Sequence, residues 1–200
     1  MESKRGLVSL LLCGIAGAIL LSCGAPPAPR PVWMDRLQNV PEVIEGKGFA
    51  PLGRDKKAAR DAAYNDALQK LILASEVTVK GQIETHLVST RDLVKGKAQG
   101  EELLDNVNKT IYDTVLDRKF FEEYMDTRNK EYWVYVYIPV SALSRIAAQE
   151  SLKLLKTKAE QQGVWDERMK SVSEDLEKDI EKNRAAEEKE AQMMQQRLGK

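Results

Sequence analysis

The sequence predicts an α+β domain, with a small, mostly antiparallel sheet packed on one Ala-rich helix and a charged helical extension at the carboxyl end. Small apolar residues recur every four positions over residues 55–75, which indicates a helix with one closely packed face. Residues 77–87 alternate between apolar and polar, and residues 132–138 are apolar throughout, as is typical of strands. The length of 200 residues suits one domain with an extension.

Charge and composition exclude several classes of protein. The chain has 31 Lys and Arg residues against 31 Asp and Glu residues, so it lacks the basic surplus that is typical of nucleic-acid binders. It has one histidine, and its two cysteines, Cys13 and Cys23, lie near the amino terminus. Most protein metal sites and Cys–His nucleophiles need more of these residues. We therefore expect no metal, no cofactor and no nucleic-acid partner.

The amino terminus has the features of a secretory signal peptide. Lys4 and Arg5 precede an apolar run over residues 7–21. A helix of that length extends roughly 22 Å, less than the roughly 30 Å of hydrocarbon that a transmembrane helix crosses. The run ends at Ser22 and Cys23, which resemble the lipobox of bacterial lipoproteins. The alternative is an uncleaved signal anchor in which Cys23 is an incidental thiol.

We predict that residues 1–22 are a signal peptide, cleaved between Ser22 and Cys23, and that a diacylglyceryl group on Cys23 binds the membrane. Two acyl chains suffice for stable anchoring, whereas one chain binds reversibly. Residues 23–31 form a Pro-rich tether, which stays extended. Gly24 after the cysteine resembles the outer-membrane sorting pattern of enteric bacteria. We expect a cell-envelope protein that is lipid-anchored in the outer membrane and faces the periplasm or the cell surface.

The first half of the folded domain, predicted over residues 32–157, contains two strands and the long helix. A first strand over residues 43–50 leads into the Ala-rich helix of residues 55–75. The next strand, residues 77–87, places the only histidine, His86, on its solvent-facing side. We expect a solvated histidine there rather than a pH sensor or general base.

The second half of the domain completes the sheet. The predicted elements are a loop, a short helix, a strand, a turn and a further strand, at residues 91–100, 100–112, 114–125, 126–130 and 132–138. The last strand is apolar at every position, so we expect it at the centre of the sheet with both faces covered. Ser141 is predicted to cap a following helix. One alternative makes the short helix a crossover between parallel strands.

Residues 158–200 are predicted to be a charged helical extension that is partly disordered. Apolar residues recur at helical spacing from Trp165 to Ile180, which predicts a helix over that stretch. Beyond Ile180 the sequence turns to Glu, Lys, Gln and Ala, so we expect a fraying or weakly coiled continuation. Two interpretations are open: a solvated extension, or a helix that binds a partner or a second copy.

The sequence contains no arrangement of residues that indicates catalysis. Gly46-Lys47-Gly48 lacks the Walker spacing, and Pro51 occupies the third-glycine position of a dinucleotide fingerprint. No serine lies in a nucleophile elbow, and the zinc-protease motif is absent from the sequence. We therefore predict that the protein is not an enzyme and has no catalytic, cofactor-binding or metal-binding residues.

A family resemblance adds to these predictions. The matching features are, in order, Trp33, Gly46-x-Gly48-x-Ala50, the Ala-rich helix of residues 58–68, the alternating strand, and the aromatic strand of residues 132–136. Over roughly residues 33–150 the chain resembles the Lpp-twenty lipoprotein family, which is related to flagellar envelope proteins of the FlgT and FlgP type. The resemblance implies a small α+β domain on an outer-membrane lipoprotein, without catalytic residues. The charged extension departs from the family pattern.

Three functions are compatible with these features. The first is a non-enzymatic structural or assembly role, as in a flagellar or outer-membrane ring, with protein partners or self-association. The second is regulation of a periplasmic enzyme such as a peptidoglycan synthase, because lipoprotein activators of these enzymes have a similar build. The third is a small-ligand carrier or an enzyme, which needs an enclosed pocket of roughly 300 Å³ or more with convergent polar groups.

Overall fold

A three-stranded sheet carries the helices of the domain. The computed structural model describes residues 29–35, 40–90, 97–163 and 165–199, with the backbone alone for 86–90 and 97–100. The predicted signal peptide, Ser22, Cys23 and most of the tether lie outside the described residues. In chain order the elements are α1 (Val32–Asp35), β1 (Val43–Pro51), α2 (Lys56–Thr90), α3 (Lys97–Asp117), β2 (Phe121–Asp126), β3 (Glu131–Pro139), α4 (Val140–Gln162) and α5 (Glu167–Arg197). The chain from Pro31 onward forms one compact unit.

The strands pair in the order β1-β3-β2, and both pairings are antiparallel. β3 is the central strand, as its apolar sequence predicts, and its residues 134–138 are buried. Residues 127–130 form the turn between β2 and β3, where the Asp126 carboxylate accepts hydrogen bonds from the nitrogens of Arg128 and Asn129 at 3.1 and 3.0 Å. The α+β fold class is confirmed. The described strands contain no parallel pair, so the crossover alternative is wrong for them.

Helix α2 lies very close to the sheet because the residues at the contact are small. Gly46 and Gly48 of β1 face the helix. A Cβ atom on Gly48 would lie 2.3 Å from the carbonyl oxygen of Ala63 and 2.3 Å from the nitrogen of Ala67. Both alanines are fully buried. Only glycine allows this approach of backbone to backbone, so the predicted close packing of the alanine face is confirmed.

The predicted strand over residues 77–87 is wrong, because α2 is one continuous helix from Lys56 to Thr90. The buried positions keep the four-residue spacing beyond the alanines: Leu71, Ser75, Val79 and Ile83. The last two of these fit both a two-residue and a four-residue period, so a short alternating segment does not distinguish strand from helix. Val77, which alternation assigns to the buried side, is 82% exposed. His86 therefore lies near the end of a helix, and its side chain is outside the described residues.

Helix α3 is longer than predicted. The sequence predicts a loop up to residue 100 and a strand from residue 114, whereas α3 includes residues 97–99 and 114–117. Ile111 and Val115 are fully buried at helical spacing, which explains why the helix continues through the predicted start of the strand. The strand begins at Phe121. Residues 91–96, the rest of the predicted loop, lie outside the described residues.

Helices α4 and α5 form an antiparallel pair. Gly163, with φ 64°, ends α4 in the left-handed conformation. Asp166 caps α5 by accepting a hydrogen bond from the nitrogen of Met169 at 2.8 Å. The predicted end of the regular helix near Ile180 is wrong, because α5 continues to Arg197 and buries Met194 completely in the main core.

Polar contacts hold the second half of α5 on α4. Glu187, which is almost fully buried, accepts hydrogen bonds from Nε and Nη2 of Arg145 at 2.6 and 3.3 Å. Glu190 accepts hydrogen bonds from the backbone nitrogen and the hydroxyl of Ser141 at 3.2 and 2.7 Å. The prediction that Ser141 caps α4 is therefore wrong. The N-cap residue is Pro139, which makes no side-chain cap, and Glu190 of α5 binds the first turn instead.

Candidate interaction surface

Helix α1, which precedes β1, packs on the face of the sheet opposite α2. Tyr135 lies between Val134 and Val136, the partners of the two glycines that meet α2, so its side chain points to the other face. Trp33 of α1 stacks on Tyr135 with ring centroids 5.6 Å apart. Lys47 extends this contact by donating a hydrogen bond from Nζ to the carbonyl oxygen of Met34 at 2.7 Å. The segment that follows the predicted tether is thus fixed to a defined face of the sheet.

Side chains of α2 cover part of the outer edge of β1. The backbone nitrogen of Phe49 donates a hydrogen bond to Oδ2 of Asp66 at 3.2 Å, and the carbonyl oxygen of Lys47 accepts one from Nζ of Lys70 at 3.1 Å. Asp66 and Lys70 also form an ion pair at 2.8 Å. These bonds occupy peptide groups that would otherwise accept another strand, which is one way in which proteins protect sheet edges.

The outer edge of β2 is open. The carbonyl oxygen of Phe120 accepts a hydrogen bond from the nitrogen of Tyr137 at 3.0 Å, and peptide groups alternate in direction along a strand. The peptide groups of Phe121, Glu123 and Met125 therefore point away from β3. Within the described ranges, no hydrogen bond is made to these three outward peptide groups. Met125 is also 38% exposed, so β2 offers both backbone groups and an apolar side chain to a partner.

A groove of about 400 Å³ adjoins this open edge. Its lining residues come from α2, α3 and the start of β2: Arg60, Asp61, Tyr64, Asn65, Tyr112, Leu116 and Phe121. The ring of Tyr64 meets those of Tyr112 and Phe121 edge to face, with centroids 6.3 and 5.8 Å apart. Tyr112 and Leu116, one helical turn apart on α3, are both partly exposed. The floor is thus aromatic, and polar side chains of α2 lie at the rim.

Charged and hydroxyl groups are arranged at one side of the groove. Nε of Arg60 donates a hydrogen bond to Glu123 at 2.6 Å, and the hydroxyl of Tyr132 donates one to the same carboxylate at 3.0 Å. The hydrogen bond to Glu123 and its negative charge raise the pKa of Arg60. Burial raises the pKa of Tyr132, and the hydrogen bond to Glu123 raises it further. Arg60 therefore neutralises the carboxylate of β2 that lies nearest to the groove.

Tyr64 is the most perturbed group of the groove. Burial, assisted by the neighbouring Tyr112, raises the pKa of Tyr64 to about 12. Its hydroxyl oxygen is buried and has no hydrogen-bond partner among the residues that the structure describes. A buried hydroxyl without a partner costs stability, so Tyr64 serves the aromatic packing of the groove rather than a polar network.

A second depression lies at the turn between α4 and α5. It has about the same volume, 400 Å³, and is lined by Lys156, Ala159, Glu160, Gly163 and Trp165. Trp165 is 41% exposed there. Its described lining residues belong to the end of α4 and to the turn that follows it, not to a strand edge, so the groove beside β2 is the stronger candidate for binding an extended partner.

The sequence-predicted site residues and this surface do not coincide. Ser22 and Cys23 lie outside the described residues, and Gly46 and Gly48 serve the packing of β1 on α2. Across the described ranges, no group of three His, Cys, Asp or Glu side chains is placed to hold a metal ion. In the same ranges, no helix combines the length and the apolar character that crossing a bilayer requires.

Sequence reasoning missed the groove because its residues are distant along the chain. Arg60 and Glu123, which form an ion pair, are separated by 63 positions. One local signal was available, since Tyr112 and Leu116 are apolar residues that lie off the buried face of α3. Exposed apolar residues that adjoin each other on one helix face are typical of interaction surfaces.

Comparisons with protein-family models, with curated proteins and with solved structures found no match to this chain.

Proposed function

We propose that the chain is a lipid-anchored protein of the bacterial cell envelope with a non-enzymatic structural or assembly role. The observation that carries the proposal is the order of features at the amino terminus. A positive start and a short apolar run end at Ser22 and Cys23, and a Pro-rich segment follows. The anchor is a diacylglyceryl group on Cys23, and the outer membrane is the proposed location because Gly24 follows the cysteine.

The geometry of the domain supports an anchored protein that presents a surface to partners. From Cys23 to Trp33 an extended Pro-rich segment reaches roughly 30 Å at about 3.1 Å per residue. That segment ends where Trp33 packs on the sheet face opposite α2, whereas the groove lies on the α2 side. Trp33, the residue at which the predicted tether meets the domain, and the groove therefore lie on opposite sides of the sheet.

An assembly role is favoured over regulation of a periplasmic enzyme by the open edge of β2, because exposed edges are templates for strand pairing. The resemblance to ring-forming flagellar envelope proteins makes an outer-membrane ring the proposed setting. The groove reaches the volume that a small-ligand carrier needs, but it is a surface groove and not the enclosed pocket that this alternative requires, so the alternative stays a prediction. A ligand screen against the purified chain would test it.

Metabolic labelling tests the lipid anchor. The full chain is expressed in a bacterium that processes lipoproteins, and labelled palmitate is supplied. The parent chain is expected to carry the label and to sediment with membranes. Cys23→Ser is expected to lose the label and to accumulate as the larger precursor. Cys13→Ser is the matched control, because it removes the other cysteine and should change neither result.

Two outcomes would contradict the proposal. An unlabelled parent chain of full length would favour the signal-anchor interpretation. A label that persists in Cys23→Ser would mean that another residue carries the lipid.

A further inference from the structure

We propose that the open edge of β2 pairs with the same edge of a second copy, which joins the two sheets into one continuous sheet. The first support is the contrast between the two edges. Asp66 and Lys70 cover part of the β1 edge by binding the nitrogen of Phe49 and the carbonyl oxygen of Lys47, whereas the outward peptide groups of β2 have no such partner among the described residues. Among the described strands, the β2 edge is thus the more open one, and strand pairing through this edge alone joins two copies without propagating into a fibre.

The sequence of β2 is complementary to itself in one antiparallel register. Outward peptide groups must meet outward peptide groups, so Phe121, Glu123 and Met125 have to pair among themselves. With Glu123 on the two-fold axis, all three take part, and about six main-chain hydrogen bonds form. This register places Phe121 of one copy opposite Met125 of the other, twice. In every other antiparallel register that joins outward peptide groups, at most two of these three residues in each copy are paired. One of those registers also places Phe121 opposite Glu123.

The side chains on the α2 side of the sheet fit this register. Phe121, Glu123 and Met125 pair with Val136, Val134 and Tyr132, which are on the face that α2 covers. Directly opposite side chains in a sheet lie about 5 Å apart, so Met125 of the second copy would reach Phe121 at the edge of the groove. The aromatic floor of Phe121, Tyr64 and Tyr112 suits a thioether, which packs well on rings.

Charge does not prevent the pairing. The register places the two Glu123 side chains opposite each other, which alone would be repulsive. Each of them already accepts hydrogen bonds from Arg60 and Tyr132 of its own copy, at 2.6 and 3.0 Å. The centre of the interface is therefore a row of two neutralised carboxylates rather than two free charges.

The symmetry also agrees with a membrane anchor, and this step rests on the proposed function. Two antiparallel edge strands are related by a two-fold axis perpendicular to the sheet, so each face of the joined sheet contains the same face of both copies. Trp33 lies on the face opposite α2 in each copy. Trp33, which follows the predicted tether, therefore lies on the same side of the joined sheet in both copies. Edge pairing buries less than the roughly 1,200 Å² of a standard interface, so we expect a weak pair in solution, whose population membrane confinement would raise.

Disulfide scanning of the full chain tests the pairing and its register. Cys13→Ser and Cys23→Ser remove the native thiols, and the chain is purified in a mild detergent. Single cysteines are then introduced by Phe121→Cys, Glu123→Cys or Met125→Cys, with Phe49→Cys on the β1 edge, which Asp66 and Lys70 partly cover, as the matched control. The amount of disulfide-linked dimer is followed on non-reducing gels under mild oxidation.

The register predicts which cysteines react. In Glu123→Cys, the cysteines of the two copies lie opposite each other across the two-fold axis, at a separation that a disulfide can span. Phe121→Cys and Met125→Cys are each about 14 Å from their own copies along the strand, so neither reacts alone. A mixture of these two variants is expected to give the mixed dimer. The proposal is overturned if Glu123→Cys forms dimer no faster than Phe49→Cys.

A second measurement keeps the natural Glu123. Sedimentation equilibrium of the full chain in detergent compares Met125→Glu with Val77→Glu, which adds the same charge at an exposed position of α2. Met125→Glu is expected to weaken dimerisation about tenfold, whereas Val77→Glu leaves it unchanged. Equal dimerisation by both variants, or a parent chain that stays monomeric up to millimolar concentration, refutes the pairing. Neither experiment needs the lipid, so failure of the anchor and failure of the pairing are distinguishable.

Discussion

Replacing Gly48 by alanine tests the contact between α2 and β1 directly. The added Cβ atom would lie 2.3 Å from the carbonyl oxygen of Ala63 and 2.3 Å from the nitrogen of Ala67. Favourable contacts lie near 3.5–4.0 Å, so α2 must move away from the sheet by about 1 Å. Both neighbours are backbone atoms, so no side-chain rotation relieves the clash.

The cost follows from what that movement does to the core. A gap of 0.5–1 Å removes a quarter to a half of the dispersion energy of the atoms that face it. The affected face includes Ala63, Ala67 and Leu71, all fully buried. Overpacking typically costs 1–3 kcal/mol, and we expect the upper end, about 3 kcal/mol, because the backbone itself must move. For a chain of this size that lowers Tm by about 6–12 °C.

The assay is urea unfolding followed by circular dichroism, with Gly81→Ala as the matched control. Gly81 lies in the same helix, is exposed, and has no atom within 4 Å of the position that a Cβ would occupy. Alanine is favoured over glycine in a helix by about 1 kcal/mol, so Gly81→Ala should stabilise the protein. A Gly48→Ala variant as stable as the parent chain would refute the close approach of α2 to β1.

Three further substitutions test the core and the groove by urea unfolding. Glu187→Ala removes the carboxylate paired with the largely buried guanidinium of Arg145, which keeps Gln149 as a partner, and should cost about 3 kcal/mol, whereas Asp175→Ala, in an exposed pair, should cost less than about 1 kcal/mol. Met194→Ala should cost about 2–5 kcal/mol if the end of α5 belongs to the core, and exposed Gln195→Ala should be nearly neutral. Tyr64→Phe removes a buried hydroxyl without a partner, so at pH 7 it should be neutral or slightly stabilising. Because its pKa is raised from 10 to about 12, folded Tyr64 keeps a proton that the unfolded chain releases; its contribution, on the order of 2 kcal/mol, is present below pH 10 and is lost toward pH 12. Tyr64→Phe should therefore lose less stability than the parent chain between pH 10 and pH 12, and identical pH profiles would contradict the burial of this hydroxyl.

The sequence predicted those features of the fold that arise from a strong local pattern. The four-residue spacing of small residues on α2 predicted a close contact, and the glycines of β1 complete it. The apolar run of β3 predicted a central strand. Residues 77–87 were predicted to be a strand because β-branched residues favour strands. They are helical because Val79 and Ile83 continue the buried face of α2. Tertiary packing overrides propensity where two periods share the same positions.

The interaction surface could not be predicted in the same way. The groove needs Tyr64 of α2, Tyr112 of α3 and Phe121 of β2 to meet, and only the packing of three elements brings them together. The difference between the two sheet edges depends on where α2 crosses the sheet, since Asp66 and Lys70 must lie beside β1. Neither feature leaves a periodic signal in the sequence. Both follow once the register of the strands is known.

The end of α5 could not be predicted from apolar periodicity, because an apolar stripe indicates apolar packing and gives no sign of polar contacts. The stripe ends at Ile180, yet Glu187 and Glu190 hold the next turns of α5 by binding Arg145 and Ser141. Helix α4 in turn depends on α5. Its N-cap residue makes no side-chain cap, and Glu190 of α5 binds a backbone nitrogen in the first turn of α4. Removing the extension would thus expose one face of α4 and leave its first turn without this partner. An experiment that truncates the chain near residue 157 would cut within α4 and measure the loss of the fold, not the loss of a partner-binding tail.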